Sequence, residues 1–353
     1  MIGAGFMGQL AHLDNYQEIE NCEIIGLAEL RPNLREKVSK KYHIPNLYNS
    51  HIELLKNPDI DAVVAITPRQ LTFSVARDCL NAGKHLLTEK PMACTLNQAQ
   101  ILVNIAKEKN LLYSVGYMKR YDEGVQTAKK ILAELIQNKK LGEIIFVRAT
   151  CMMGDSFAKA GGHLTSDEKI EISVSLETDT TIAPDWVPDC YKMDFAGYLN
   201  TYSHNTNLLR YLFNKNPSVQ YVNFNRMKGR IALLNFGPFV TSLETGRSEY
   251  HYWHEEIQIF FEKGHLTLKT PPPLLKNVVG EVNLYEAHPE PKTTLFNTGW
   301  SWAFKRQAEA FVNNILENSK SISSGEDSME DITLVENMWN FQIDQNPNKD
   351  LSH

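Results

Sequence analysis

Along the first third of the chain, short apolar runs alternate with longer segments of helical periodicity. Residues 23–28, 61–66, 84–88 and 111–115 are compact runs rich in Ile, Leu and Val, which predict buried strands. Between them, 32–42 carries Arg35, Glu36, Lys37, Lys40 and Lys41 and predicts a solvated helix. Residues 71–82 predict a helix ended by Gly83, and 96–109 a further amphipathic one. Strands alternating with helices pair in parallel through crossovers, so this part is expected to be a doubly wound α/β domain.

Beyond residue 122 the pattern changes. A helix over 123–137 leads into a strand over 143–150. Further strands are expected at 219–223, 229–235, 240–243, 255–262 and 265–268, with Lys263-Gly264 as a hairpin turn. Strands that follow strands imply an α+β domain with a large, mainly antiparallel sheet, one face covered and the other open. Phe304, Ala308, Phe311, Val312 and Ile315 recur at helical spacing and read as core. The expected division is 1–121, 122–344 and a loose tail at 345–353.

Composition narrows the class. The 353 residues carry 36 Lys+Arg against 42 Asp+Glu, and a net charge of −6 gives no basic footprint for nucleic acid. No run of about 18 apolar residues is present to span a membrane, and the start has no basic-then-apolar leader pattern. Cys22, Cys79, Cys94, Cys151 and Cys190 are scattered and never CxxC, which points to free thiols in a reducing, cytoplasmic setting and to no metal site.

Gly3-Ala4-Gly5-Phe6-Met7-Gly8 is a GxGxxG turn. Its first glycine permits the tight turn, its second lets backbone approach a pyrophosphate, and its third allows close helix packing. The following helix offers N–H groups to the anion. A helix-like segment follows, then a strand that ends in Glu29, 21 residues beyond Gly8 and spaced to bond a ribose 2′-hydroxyl. A Rossmann-type dinucleotide site is therefore expected. Glu29 would repel the 2′-phosphate of NADP and favours NAD, whereas Arg31 could pair with that phosphate. Only Met1 and Ile2 precede Gly3, so the central strand is expected to be truncated.

Glu89-Lys90-Pro91 follows the third strand. With the Gly-rich turn, Ala62-Val63-Val64 leading to Thr67-Pro68, Ala82-Gly83-Lys84-His85, Gly116-Tyr117-Met118-Lys119-Arg120-Tyr121 and Leu199-Asn200-Thr201-Tyr202-Ser203-His204, this order of motifs resembles the Gfo/Idh/MocA family of nicotinamide-dependent sugar and polyol oxidoreductases. The resemblance covers nearly all the chain except 154–187. It implies that Lys90 lies beside nicotinamide and substrate, and that Phe6, Met7, Thr67, Pro68 and Glu89 border the cofactor. It also implies a homo-oligomer built on the second sheet and a small sugar or polyol as substrate.

Asn200, His204, Asn207 and Tyr211 share one helical face at spacings of four, three and four. In the resembled family this helix carries Asp and His four residues apart. His204 matches the acid–base histidine, whose unperturbed pKa near 6.5 suits proton transfer. Asn200 replaces the aspartate, and its amide, which does not titrate near neutral pH, can only orient a substrate or hydrogen-bond to Lys90. Arg120 reads equally as a cleft residue or a structural one. His251 and His254 would point to opposite faces of a strand and so not converge on a metal. Residues 155–188 read as a substrate loop or an insertion. The same architecture also includes nucleotide-binding regulators and glycosidases that use NAD in redox elimination; the loss of the aspartate keeps the regulator reading open.

Overall fold

The computed structural model describes residues 1–154, 157–169, 179–224, 229–249 and 252–345. The chain forms two units. The first comprises Met1–Tyr117, Gly161–Asp185 and Phe304–Ile332; the second comprises Met118–Ala160, Trp186–Ala303 and the described residues from 333 onward. A division at 121/122 misses the two returns of the chain to the first unit, which serve different purposes. Residues 304–332 bring an apolar helix to cover its sheet, and the described residues of 161–185 are fastened largely by polar bonds.

In the first unit, Met1–Gly3 lies between β1 (Gly26–Ala28) and β3 (Ala62–Ala65), parallel to both at Ile2. Ile2 N–H donates to Val64 O at 2.9 Å, and Gly3 N–H donates to Ala28 O at 2.8 Å. β2 (Asn46–Tyr48) extends the sheet beside β1, while β4 (His85–Thr88) and β5 (Tyr113–Val115) continue it beyond β3, all in parallel register. β1 is shorter than the 23–28 expected from its apolar run, and it pairs over the length beside which Met1–Gly3 lies. β2 is half polar and exposed, so hydrophobic pattern did not mark it.

Helices cover both faces of this sheet. A π-helical stretch, Gly8–Leu13, passes into an α-turn at Asp14–Tyr16; together these are α1. α2 (Pro32–Tyr42) lays Leu34 and Val38 against Leu13 and Leu27. α8 (Ala303–Leu316) lays Ala308, Phe311 and Val312 against Val64 and Leu87. Burial on both faces is why these strands are near-continuously apolar. α3 (His51–Leu55), α4 (Arg69–Asn81) and α5 (Leu96–Glu108) complete the crossovers.

The second unit is built on an eight-stranded sheet. Its strands are β6 (Ile144–Met153), β7 (Ser218–Asn223), β8 (Gly229–Asn235), β9 (Val240–Arg247), β10 (Trp253–Phe261), β11 (Gly264–Lys269), β12 (Glu281–Glu286) and β13 (Lys292–Phe296). The order is β13-β12-β11-β10-β6-β9-β8-β7, antiparallel except for the central β6–β9 pair. Val147, Ala149, Leu243, Ile257 and Ile259 are buried on one face. The other carries polar pairs such as the Arg148–Glu244 fork, at 2.9 and 2.8 Å.

α6 (Glu123–Asn138) and α7 (Asp189–Phe213) belong to this unit, with the C-terminal part of α9 (Gly325–Gln345). Trp339 of α9 is fully buried among Tyr191, Phe195 and Tyr198 of α7 and Phe224, with ring centroids 5.3–6.3 Å away. β12, β13 and α9 were not anticipated from pattern. All five cysteines are free thiols, and among the described residues no helix is long and apolar enough to cross a membrane.

A buried ion pair holds the entry to this unit. Lys119, in the 3-10 turn Met118–Tyr121, bonds Glu255 of β10, which also accepts from Asn205 Nδ2 at 2.6 Å. Their side chains are only 9% and 2% exposed, so removing one charge leaves the other without compensation. Lys119→Met is expected to destabilise the protein by about 3–5 kcal/mol. Chemical denaturation should show Lys119→Met/Glu255→Gln costing less than the sum of the single changes; strict additivity would contradict the pairing.

Candidate active site

The carboxyl ends of Met1–Gly3, β1, β3 and β4 lie along one edge of the first sheet, where doubly wound folds place ligands. The Gly-rich turn, Glu29, Thr67-Pro68 and Glu89-Lys90 all follow these ends. The three glycines differ in what requires them. Gly3 has φ +84°, and a Cβ there would sit 2.2 Å from Ile66 O; one on Gly8 would sit 2.6 Å from Gly3 O. The protein's own backbone forbids both. A Cβ on Gly5 would meet only the Arg31 guanidinium, at 3.9 Å. Packing does not demand glycine at position 5, so the space above it suits a ligand's pyrophosphate, and the residues fit a dinucleotide.

Glu29, 5% exposed, is held from two sides. Ala4 N–H, inside the Gly-rich turn, donates to Oε2 at 2.9 Å. Arg31 donates from Nε to Oε1 at 2.8 Å, from Nη2 to Oε2 at 3.0 Å, and from its backbone N–H to Oε1 at 3.1 Å. Burial by itself would raise the Glu29 carboxyl, but the Arg31 side chain and the N–H groups of Ala4 and Arg31 overcome it and hold the group below the ordinary glutamate range. Arg31 and Glu29 thus form one fork. This differs from reading them as independent rivals for the cofactor.

Glu89 is anchored from α1. His12, buried in α1, lies 2.9 Å from Glu89 Oε1 through Nε2, and Lys90 N–H donates to Glu89 Oε2 at 3.2 Å. The Lys90-Pro91 peptide is cis, and Lys90 is half-buried. Gly116 faces Glu89 so closely that a Cβ would come within 3.1 Å of its carboxylate. His12 was not anticipated; the signal was there as a lone polar group inside the apolar run Leu10-Ala11-His12-Leu13. Thr67 is half-buried, with its hydroxyl 3.3 Å from that of Thr72, and Pro68 is the N-cap residue of α4. Phe6 and Met7, between Gly5 and Gly8, are half-buried, and Phe6 meets the His163 ring edge-on at 4.9 Å.

In the second unit, α7 presents Asn200 and His204 half-buried, while Tyr198, Leu199, Tyr202 and Ser203 point into the core. Asn207 and Arg120 bond each other instead. Arg120 Nε donates to Asn207 Oδ1 at 2.7 Å, and its guanidinium lies over the Tyr211 ring at 5.0 Å. Arg120 is 2% exposed, which favours the structural of its two readings. Among the aromatic residues near β10, Tyr252 is exposed and Trp253 lies beside Lys119. Tyr250 and His251 lie outside the described residues.

The described parts of 161–185 are bound to the first unit. Gln9 donates to Leu164 O at 2.9 Å and accepts from Leu164 N–H at 2.8 Å. Asp179 accepts from Gln98 Nε2 at 2.7 Å, and its N–H donates to Ser74 Oγ at 3.1 Å.

Residues 1–117 match the family described as "Oxidoreductase family, NAD-binding Rossmann fold", that of Gfo/Idh/MocA. The chain is 30% identical over 154 residues to inositol 2-dehydrogenase/D-chiro-inositol 3-dehydrogenase of Lacticaseibacillus casei, covering 42% of this chain and 43% of that protein. It is 29% identical over 219 residues to an uncharacterized oxidoreductase of Schizosaccharomyces pombe, covering 55% and 58%. The chain spans about half the length of the curated relatives it matches. The crystal structure of aldose-aldose oxidoreductase from Caulobacter crescentus complexed with glycerol superposes with a TM-score of 0.73 at 18% identity, over 98% of this chain and 97% of that one. The two-part fold is therefore shared along almost the full length.

Two contrasts test this site. Gly3→Ala should lower stability by at least about 1–3 kcal/mol through backbone strain, whereas Gly5→Ala should keep the wild-type unfolding midpoint and lose roughly tenfold or more in NAD affinity. Equal effects on folding would contradict the separate roles. Glu29 has a lowered folded-state pKa, so its contribution is present above about pH 4.3 and is lost as pH falls through the lowered value. The stability gap between wild type and Glu29→Gln should therefore narrow in acid, and a gap constant with pH would refute the fork.

Proposed function

We propose that the chain is an NAD-dependent oxidoreductase that moves a hydride between nicotinamide and a secondary alcohol or ketone of a sugar or polyol, inositols included. The observation that carries this reading is the carboxyl edge of the first sheet. There an open glycine at position 5, a fixed Glu29 and the Glu89-Lys90-Pro91 turn stand on adjoining strand ends. Match of residues 1–117 to NAD-binding oxidoreductases, and likeness to an inositol dehydrogenase, support the substrate class.

Bound nicotinamide would supply the hydride acceptor or donor, and the chain's task is positioning and proton handling. Lys90 would hold the reacting oxygen through its ammonium, which favours negative charge developing there. His204 would take the hydroxyl proton during oxidation and return it during reduction. Asn200 has no titrating proton and would orient the substrate by hydrogen bonds alone. Arg120 acts indirectly, by fixing Asn207 one turn along the same helix. The uncovered face of the second sheet, with Tyr221 and Leu295 exposed, is the surface we assign to a second copy of the chain.

The test is a screen of inositols, aldoses and nucleotide-sugars, following absorbance of the reduced cofactor. Turnover should fall by about 10²–10⁴ in His204→Ala, with NAD affinity retained, and be lost likewise in Lys90→Ala. Tight dinucleotide binding without turnover on any of these compounds would favour a nucleotide-binding regulator instead.

A further inference from the structure

The segment 163–168 lies along the nucleotide edge of the first unit. Its start is fixed by the paired Gln9–Leu164 hydrogen bonds and by the contact of His163 with Phe6. Leu164 packs against the cluster of Ala4, Leu13, Leu27 and Leu34. Lys37 Nζ donates to Thr165 O at 3.4 Å. The segment then delivers Glu168 to the start of α2, where Asn33 N–H donates to Oε1 at 3.1 Å and Leu34 N–H to Oε2 at 3.3 Å. Ser166 Oγ donates to the same carboxylate at 2.5 Å.

α2 begins directly after Arg31, whose own side chain makes no cap there. The free N–H groups of a helix start attract one anion. In a doubly wound nucleotide site, this place beside the acid at the end of β1 is where the ribose 2′-position of the cofactor falls, and an arginine there receives the 2′-phosphate of NADP. Here the anion is already supplied by the protein. Arg31, the group suited to a phosphate, is forked onto Glu29, and Glu168 adds a second negative charge near it. No atom of the segment comes within 4 Å of where a Cβ on Gly5 would sit.

We propose that Glu168 is a specificity-determining residue: its carboxylate takes the anion position at the start of α2 and, with Glu29, excludes the 2′-phosphate of NADP. This deepens the dinucleotide reading and rests on it. A neutral 2′-hydroxyl meets no charge repulsion from either carboxylate. A 2′-phosphate would have to displace Glu168 from two backbone N–H groups, or else stand unpaired between two carboxylates. Selectivity is thus set by a stretch that enters from outside 1–121, and not by the strand-end acid alone.

The experiment is titration of the full chain with NADH and with NADPH, read by cofactor fluorescence. Wild type, Glu168→Gln and Glu168→Ala are compared; glutamine keeps the size and one acceptor and loses the charge. Wild type should bind NADH tighter by roughly a hundredfold, and both variants should gain about tenfold or more in NADPH affinity while NADH changes less than about threefold. A merely structural role would weaken both dinucleotides together and leave their ratio unchanged, which overturns the proposal. A gain for both together would also overturn it, since the segment would then compete with the whole dinucleotide. Failure of wild type to bind either one refutes the dinucleotide reading itself, whereas binding of NADH with an unchanged ratio refutes only the role of Glu168.

Discussion

The carboxylate of Glu29 ties the Gly-rich turn, 25 residues earlier in the chain, to the end of β1 and the start of α2. It accepts Ala4 N–H from the Gly-rich turn, terminates β1, and fixes Arg31 at the start of α2. A buried carboxylate is costly unless its lone pairs are satisfied, and these partners satisfy them. The same bonds set the turn, the strand end and the helix start in one arrangement. Gly3 bonds β1 on one side, and Ile2 bonds β3 on the other, so the turn is held against the sheet by backbone bonds of 2.8–2.9 Å. The glycines then decide what the turn presents: two meet the protein's own backbone, and the one between them faces space.

A second tie runs from α1 to the Glu89-Lys90-Pro91 turn through His12 and Glu89. The helix that starts at the Gly-rich turn thereby also fixes the carboxylate next to Lys90. In the second unit the corresponding fixtures are Lys119 with Glu255 and Arg120 with Asn207. Both cations come from the 3-10 turn Met118–Tyr121, and both are buried, which seats that turn against β10 and α7. Arg120 is buried and bonded to Asn207, one helical turn from His204.

Much of this was legible in the chain. Parallel strands read as unbroken apolar runs because both faces are covered, and Ile257-Gln258-Ile259 of β10 alternates as a half-buried strand should. The spacing of the GxGxxG turn and Glu29 matches their meeting at the carboxyl edge of the first sheet. What escaped had weak local signals. β2 is a polar edge strand, and β12 and β13 lie in a stretch whose Thr, Asn and Glu residues dilute the alternation. The Glu29–Arg31 fork, His12–Glu89 and the return of Glu168 to α2 are long-range or orientational facts, and spacing along a chain does not contain them.

The central claim is that a dinucleotide binds along the carboxyl edge of the first sheet, between the Gly-rich turn and the start of α2. Hydrogen–deuterium exchange of the full chain with and without NAD tests it most directly. The account requires slowed exchange at residues 3–8 and 28–35, with residues 163–168 remaining in place. Protection confined to other parts of the chain, or none at saturating NAD, would contradict it.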